Sequence, residues 1–287
     1  MCGRYAAARD TATIVEEFSV EQVVDPAPQP SWNVAPTDTV AFVVDRPVPA
    51  GAAPGEGPAG GGGTDGPEAA TAERIQRQLR AARWGLVPSW AKDPAIGNRM
   101  INARWEQAAE KPAFRAAFAR RRCLIPADGY FEWYATAQRG ASGKPRKQPY
   151  FIHRADGRGL ALAGLYEFWR PSSEADWLVT VSVLTTASAG PLAALHDRMP
   201  VVIDPAGYEA WLDPTTAVGP DFDARLAVDL LEVYPVATTV NSVRNDGPEL
   251  VEPLPAEEAQ DVPGPPEFRP EGRVEAEPGE PRRPAGR

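Results

Sequence analysis

The chain has 287 residues, 43% of them hydrophobic and 24% charged, enough apolar content for the packed core of one domain. Gly 25 and Pro 32 together make up about a fifth of the chain, above ordinary usage, so part of it is expected outside the packed structure. The formal net charge is -9, no apolar run approaches the roughly 18 residues of a membrane span, and two cysteines with two histidines exclude a disulfide scaffold, a zinc finger and a zincin.

The first residues, Met1-Cys2-Gly3-Arg4-Tyr5, lack the basic head and apolar stretch of a signal peptide, so a cytoplasmic protein is expected. Methionine before a small residue is normally trimmed, which leaves Cys2 with a free α-amine and a thiol on adjacent carbons. An α-amine has a reference pKa of about 7.7–8.0, against about 10.4 for lysine, so an appreciable minority is the neutral nucleophile at pH 7. Such an amine attacks an aldehyde to give a Schiff base. The neighbouring thiol can then add to the imine and close a five-membered thiazolidine.

Residues 11–18 carry apolar side chains at helical spacing and predict a helix. Residues 39–45 and 75–86 read as strands. Between them, residues 49–70 are Gly, Pro and Ala with scattered acids and no large apolar residue, which predicts a disordered insertion that lengthens a β-hairpin turn. Surface loops tolerate this because closure entropy grows only logarithmically with length. Residues 102–119 predict a helix in two parts broken by Pro112. Residues 122–126, 131–134, 150–153, 160–163 and 177–186 predict strands. Residues 205–212 predict a short helix opened by Asp204 as cap and Pro205 in the first turn. Residues 251–287 are rich in Glu, Pro, Gly and Arg and predict a disordered acidic tail. Strands outnumber helices and no βαβ alternation is visible. The expectation is an α+β fold: a single domain over 2–250, built around a mostly antiparallel, barrel-like sheet with flanking helices.

Charge is unevenly spread. From Arg74 to Arg122 twelve Arg and Lys stand against three acids. A basic middle in an acidic chain fits either a solvated face or an anionic partner.

Six segments, in order, carry a family resemblance: Met1-Cys-Gly-Arg-Tyr5, Trp32-Asn-Val-Ala-Pro36, Arg83-Trp-Gly-Leu-Val-Pro-Ser-Trp90, Ile101-Asn-Ala-Arg-Trp-Glu106, Cys123-Leu-Ile-Pro-Ala-Asp-Gly-Tyr-Phe-Glu-Trp133 and Leu195-His-Asp-Arg-Met-Pro200. Over residues 2–240 the chain resembles the SRAP (SOS-response-associated peptidase) family, which crosslinks covalently to abasic sites in DNA. The resemblance implies that Cys2 is the nucleophile. Glu132 matches the family's acid/base carboxylate, and its aromatic flanks suit a carboxyl raised by desolvation. His196 matches a histidine that assists ring opening, with Asp197 beside it, and an imidazole is the natural shuttle at pH 7. Asn102 would bond the sugar or the N-terminus, or cap a helix. Arg4, Arg104 and Arg198 would contact phosphates. Trp90 matches an apolar wedge beside the lesion, although Ser89 stands where the family often has a second aromatic. Asn33 and Pro36 would line the same cleft. Trp84, Trp105, Cys123 and His153 read as structural.

The resemblance implies single-stranded DNA containing abasic sites as partner, also at single-strand/double-strand junctions. It implies no membrane, no metal and no organic cofactor, a monomer, and nucleoid association when bound. Two other readings remain open: a thiol peptidase using Cys2 with His196 as base, and a noncovalent reader of damaged DNA.

Overall fold

The computed structural model describes residues 2–49, 73–139, 145–219 and 221–262, together with Gly143, Gly264, Pro265 and Phe268. In chain order the elements are β1 (Tyr5–Ala7), α1 (Thr11–Glu17), β2 (Gln22–Val23), β3 (Ser31–Val34), β4 (Thr39–Pro49), β5 (Glu73–Trp84), β6 (Asn102–Arg104), α2 (Trp105–Ala108), α3 (Arg115–Arg120) and β7 (Arg122–Ala127). They continue with β8 (Gly129–Arg139), β9 (Pro145–Arg154), β10 (Leu160–Trp169), β11 (Leu178–Ala187), β12 (Arg198–Pro200), α4 (Tyr208–Leu212), β13 (Leu231–Pro235) and α5 (Ala256–Asp261). This is the expected α+β class.

Two sheets form. One runs β13-β9-β8-β1-β3, antiparallel throughout. The other runs β12-β11-β10-β7-β4-β5-β2, with β6 beside β11. A parallel pairing of β5 with β11, Thr180 opposite Arg83, closes β11, β10, β7, β4 and β5 into a ring. That seam gives the barrel-like character, and closure removes edges that would otherwise stay unpaired.

Period-two alternation decides which neighbours each strand meets. On β7, Cys123, Ile125 and Ala127 pack with Tyr5, Tyr130 and Ile152 of the first sheet, whereas Leu124 packs toward the helices. On β10, Leu160 and Leu162 take the first side and Ala161 and Ala163 the second. Helical side chains Ile14, Phe18, Trp105, Phe118 and Trp211 cover that second side. The ring strands are therefore buried on both faces.

Local signals act at several ends, among them the expected one at Asp204. Asp10 caps α1 by accepting from the Thr13 N–H at 2.7 Å. Asp204 accepts from the Ala206 N–H at 3.0 Å, opening a 3-10 turn that leads into α4. β4 and β5 pair antiparallel from Thr39–Arg83 to Pro49–Glu73, so they form the expected hairpin. The insertion expected over 49–70 lies outside the described residues, apart from Pro49.

Two expectations meet a different outcome. Residues 102–104, expected in a helix, are β6, because their backbone pairs with Val183, Leu184 and Thr185 of β11. The two helical parts begin only at Trp105 and Arg115. Residues 251–262, expected as the start of the tail, include a bridge between Pro253 and Val236 and helix α5. Phe268 further on stands 6.1 Å from the Tyr150 ring. The other residues of the tail beyond 262, save Gly264 and Pro265, lie outside the described residues.

Gly85 is needed where β5 ends. Its φ is +127, a region that favours glycine, and a Cβ there would stand 2.6 Å from the Gly97 carbonyl oxygen. Its N–H donates to Val181 at 2.8 Å, so the chain turns away from the ring seam toward Trp90.

Candidate active site

Cys2 is wholly buried just before β1, in the cluster that joins the two sheets. Its thiol is 4.0 Å from the Arg4 carbonyl oxygen. Burial pushes that thiol well above its ordinary range, and the charge of Glu132 pushes it further. Asn102 of β6 donates its side-chain amide to the Cys2 carbonyl oxygen at 2.7 Å. That bond joins residues a hundred positions apart. It settles the Asn102 alternatives in one respect: the cap position of α2 is Arg104, with no side-chain cap bond.

Glu132 lies in β8 and is 5% exposed. In Gly-Tyr-Phe-Glu-Trp the alternation sends Tyr130 to the inter-sheet cluster and Phe131 to a separate one with Phe151 and Val240. Glu132 therefore shares a face with Tyr130. Burial raises the Glu132 carboxyl above its ordinary value, and His196 acts in the opposite direction. The Tyr130 and Tyr5 hydroxyls are pushed far up, chiefly by burial and next by the Cys2 thiol. Cys2, Asn102, Glu132 and His196 thus form one electrostatic neighbourhood.

His196 sits between a 3-10 turn (Gly190–Ala194) and β12. Its Nδ1 is 2.8 Å from Asp197 Oδ1 and 2.9 Å from the Arg198 backbone nitrogen. One ring nitrogen serves only one of these at a time. Neutral, it accepts from the Arg198 N–H; protonated, it donates to Asp197. The ring therefore has a partner in either charge state.

The residues matched as DNA contacts separate into two groups. Arg4 is half-buried: it donates to Asn33 Oδ1 at 2.6 Å and the Val240 carbonyl at 3.0 Å, and lies 5.7 Å over the Trp133 ring. Burial lowers its pKa, with Asp38 opposing. Asn33 is buried and donates to the carbonyls of Ser242 and Asn245 at 3.0 and 2.7 Å, tying β3 to the 240–245 turn. Arg198 forms a bidentate pair with Glu106, both distances 2.9 Å. Burial pushes Glu106 up, but the bonds from Arg198 and Thr186 outweigh it and hold the carboxyl at about 2. In this structure Asn33 and Arg198 are engaged by the protein itself.

Arg104 and Trp90 face solvent instead. Arg104 is exposed, and its side chain makes no hydrogen bond or ion pair among the described residues. Trp90 is 59% exposed, while the neighbouring loop is pinned by Trp169, whose indole N–H donates to the Ala91 carbonyl at 2.7 Å. Pro36 occupies a turn in which the Asp38 N–H donates to the Ala35 carbonyl at 3.1 Å. Thr37 there has φ 82, a strained value for a β-branched residue.

The residues read as structural behave so. Trp84 and Cys123 are wholly buried and Trp105 is 5% exposed. His153 stacks on Phe151 at 5.7 Å. Sequence reasoning missed Tyr5 and Tyr130 around Cys2, although the period-two spacing of Tyr130 and Glu132 was available. It also missed the 240–245 turn, for which no local signal exists. Among the described residues no group of three His, Cys, Asp or Glu converges as a metal site, and no helix is long and apolar enough to cross a membrane.

Fold and site together define an α+β protein whose buried Cys2 shares its surroundings with a carboxyl, an imidazole and an amide. Residues 1–243 match the family described as SOS response associated peptidase (SRAP), and the chain belongs to that family. It is 34% identical over 257 residues to the abasic site processing protein YoqW of Bacillus subtilis (strain 168), covering 88% of this chain and 99% of YoqW. It is 33% identical over 209 residues to the abasic site processing protein HMCES of Gallus gallus, covering 64% of this chain and 60% of HMCES. A crystal structure of a Bacteroides thetaiotaomicron protein has the same fold: TM-score 0.62, 20% identity, 88% of this chain and 100% of the other covered.

Proposed function

We propose that the protein captures abasic sites in single-stranded DNA by forming a thiazolidine with Cys2. The observation that carries this is Cys2 buried beside Glu132, its carbonyl held by Asn102 at 2.7 Å. The proposal requires Cys2 to carry the free α-amine, hence removal of Met1. The amine attacks the ring-opened aldehyde of the abasic sugar to give a carbinolamine, which loses water to form an imine. The Cys2 thiol then adds across the imine: a C–S bond forms and the thiol proton passes to nitrogen. Nothing is oxidised, and one water leaves overall.

A carboxyl raised by burial holds its proton more readily than a free one, which suits Glu132 to dehydration of the carbinolamine. His196, with a partner in each charge state, suits opening of the sugar hemiacetal. Exposed Arg104 and Trp90 suit contact with a phosphate and an unstacked base. Asn33 and Arg198 act by holding the 240–245 turn and α2.

Intact mass spectrometry, before and after incubation with single-stranded DNA bearing one abasic site, tests the proposal. Loss of Met1 followed by a stable adduct of protein plus DNA minus one water is expected. No adduct from trimmed, folded protein would overturn it.

A further inference from the structure

The basic middle of the chain is only partly used by the site. Two of its remaining arginines, Arg80 and Arg83, reach the seam where β5 joins β11, and Arg46 and Arg170 from outside that stretch lie over aromatic rings there. There an open groove of about 850 Å³ is lined by Arg46, Arg80, Arg83, Phe168 and Trp177. A second depression of about 510 Å³ shares Phe168 and Trp177, adds Arg170 and reaches Ser89, the neighbour of Trp90. The bond from Trp169 to Ala91 ties the Trp90 loop to the end of β10 that supplies Phe168 and Arg170.

The cations are only weakly spoken for. Arg46 lies 5.4 Å over Phe168 and has no acidic partner among the described residues. Arg170 lies 4.2 Å over Trp177 and donates to the Ser173 carbonyl at 2.9 Å. Arg83 donates to Asn98 at 2.6 Å, and its Nη1 is buried without an acceptor among the described residues. Two acids are present: Asp25 meets Arg80 at 3.4 Å, and Glu167 pairs with Arg121 at 2.6 Å. Trp177 remains 39% exposed, with one ring face under Arg170.

Guanidinium groups alternating with accessible rings fit a single strand, whose phosphates take the charges and whose unstacked bases take the ring faces. We infer that the seam groove is a second binding track for single-stranded DNA, receiving the strand that leaves the lesion past Trp90. The inference rests on the proposed DNA reaction and adds to it a part of the strand remote from Cys2.

The test measures noncovalent affinity for undamaged single strands of increasing length by fluorescence anisotropy, alongside crosslink yield on a short abasic strand. The variants are the double substitution Arg46→Gln with Arg170→Gln and, separately, Trp177→Ala and Trp177→Phe. The double variant should lose about tenfold affinity for long strands and lower the salt dependence by about two phosphates' worth. Trp177→Ala should lose about fivefold, and Trp177→Phe should restore most of it. Short strands should bind, and crosslink, as with the unaltered protein. Equal affinities of variants and unaltered protein on long strands would overturn the groove, even if crosslinking proceeds. Crosslinking absent throughout, with length-dependent binding intact, would instead remove the reaction and keep the groove.

Discussion

Cys2 and Cys123 sit in the same packed cluster, both wholly buried and both with thiols pushed up by that burial. Each backbone carbonyl accepts from a side chain: Asn102 for Cys2 at 2.7 Å, and the Trp211 indole for Cys123 at 2.8 Å. The surroundings then diverge. Around Cys123 the polar groups close on each other. Arg122 gives its donors to the carbonyls of Phe118, Ala119, Trp211, Asp213 and Thr216, and lies 5.7 Å over the Trp211 ring. Around Cys2 stand a carboxyl, an imidazole and two tyrosines; burial raises the carboxyl and both hydroxyls, and the Cys2 thiol pushes the hydroxyls further. Burial alone makes a thiol inert. The proposed reaction needs burial beside groups that can move a proton, with the α-amine freed on the next carbon, and only Cys2 offers that setting among the two cysteines.

The sharpest way to break this comparison is to exchange the two cysteines' fates. Cys2→Ala should abolish the adduct that survives without borohydride, read by mass spectrometry. Cys123→Ala should keep the adduct and lose about 1–2 kcal/mol of stability in urea unfolding. Equal adduct yields from both variants would erase the distinction.

Next in size is Glu132→Gln, which should slow adduct formation by about 10²–10⁴-fold in single-turnover assays. The same change should stabilise the fold. A carboxyl whose folded pKa is raised contributes less stability once pH exceeds its unfolded value, because deprotonation is then favoured in the unfolded chain. Wild type should therefore melt below Glu132→Gln at neutral pH, and the two curves should converge below about pH 4. A variant that melts lower than wild type at neutral pH counts against a desolvated carboxyl.

On the Cys123 side, Arg122→Met should cost about 3–5 kcal/mol, because five carbonyls lose a buried cationic donor. At fixed folded fraction the crosslinking rate should not move. Gly164→Ala should cost about 1–3 kcal/mol, since the new Cβ would meet Cys123 Sγ at 2.8 Å across β10 and β7. The smallest effect belongs to the turn after β3: Thr37→Gly relieves a φ of 82 and should change stability by about 1 kcal/mol or less. Loss of crosslinking in that variant would mean that the strained turn positions the site.

What could be read in advance was what neighbours along the chain decide. Alternation marked β4, β5, β7 and β10, apolar helical spacing marked α1, and a polar cap marked the turn before α4. The motifs picked out Cys2, Glu132, His196 and Asn102 together. Strands of two to five residues such as β1, β2, β3, β12 and β13 escaped, being too short to show a period. Asn102 looked like a cap because Asn before an apolar run fits one, yet the edge of β11 took its backbone first.

By itself, then, the sequence determined the α+β class, the faces of the longer strands and the residue types that the proposed chemistry uses. Tertiary structure alone decided that β5 meets β11 in parallel to close the ring. It also decided that Arg198 spends its charge on Glu106, that Asn33 holds the 240–245 turn, and that Cys2 comes to rest beside Glu132. The physical reason is one of range. Side-chain periodicity encodes which face of an element is buried, but the partner is chosen by packing and hydrogen bonds between segments far apart in the chain.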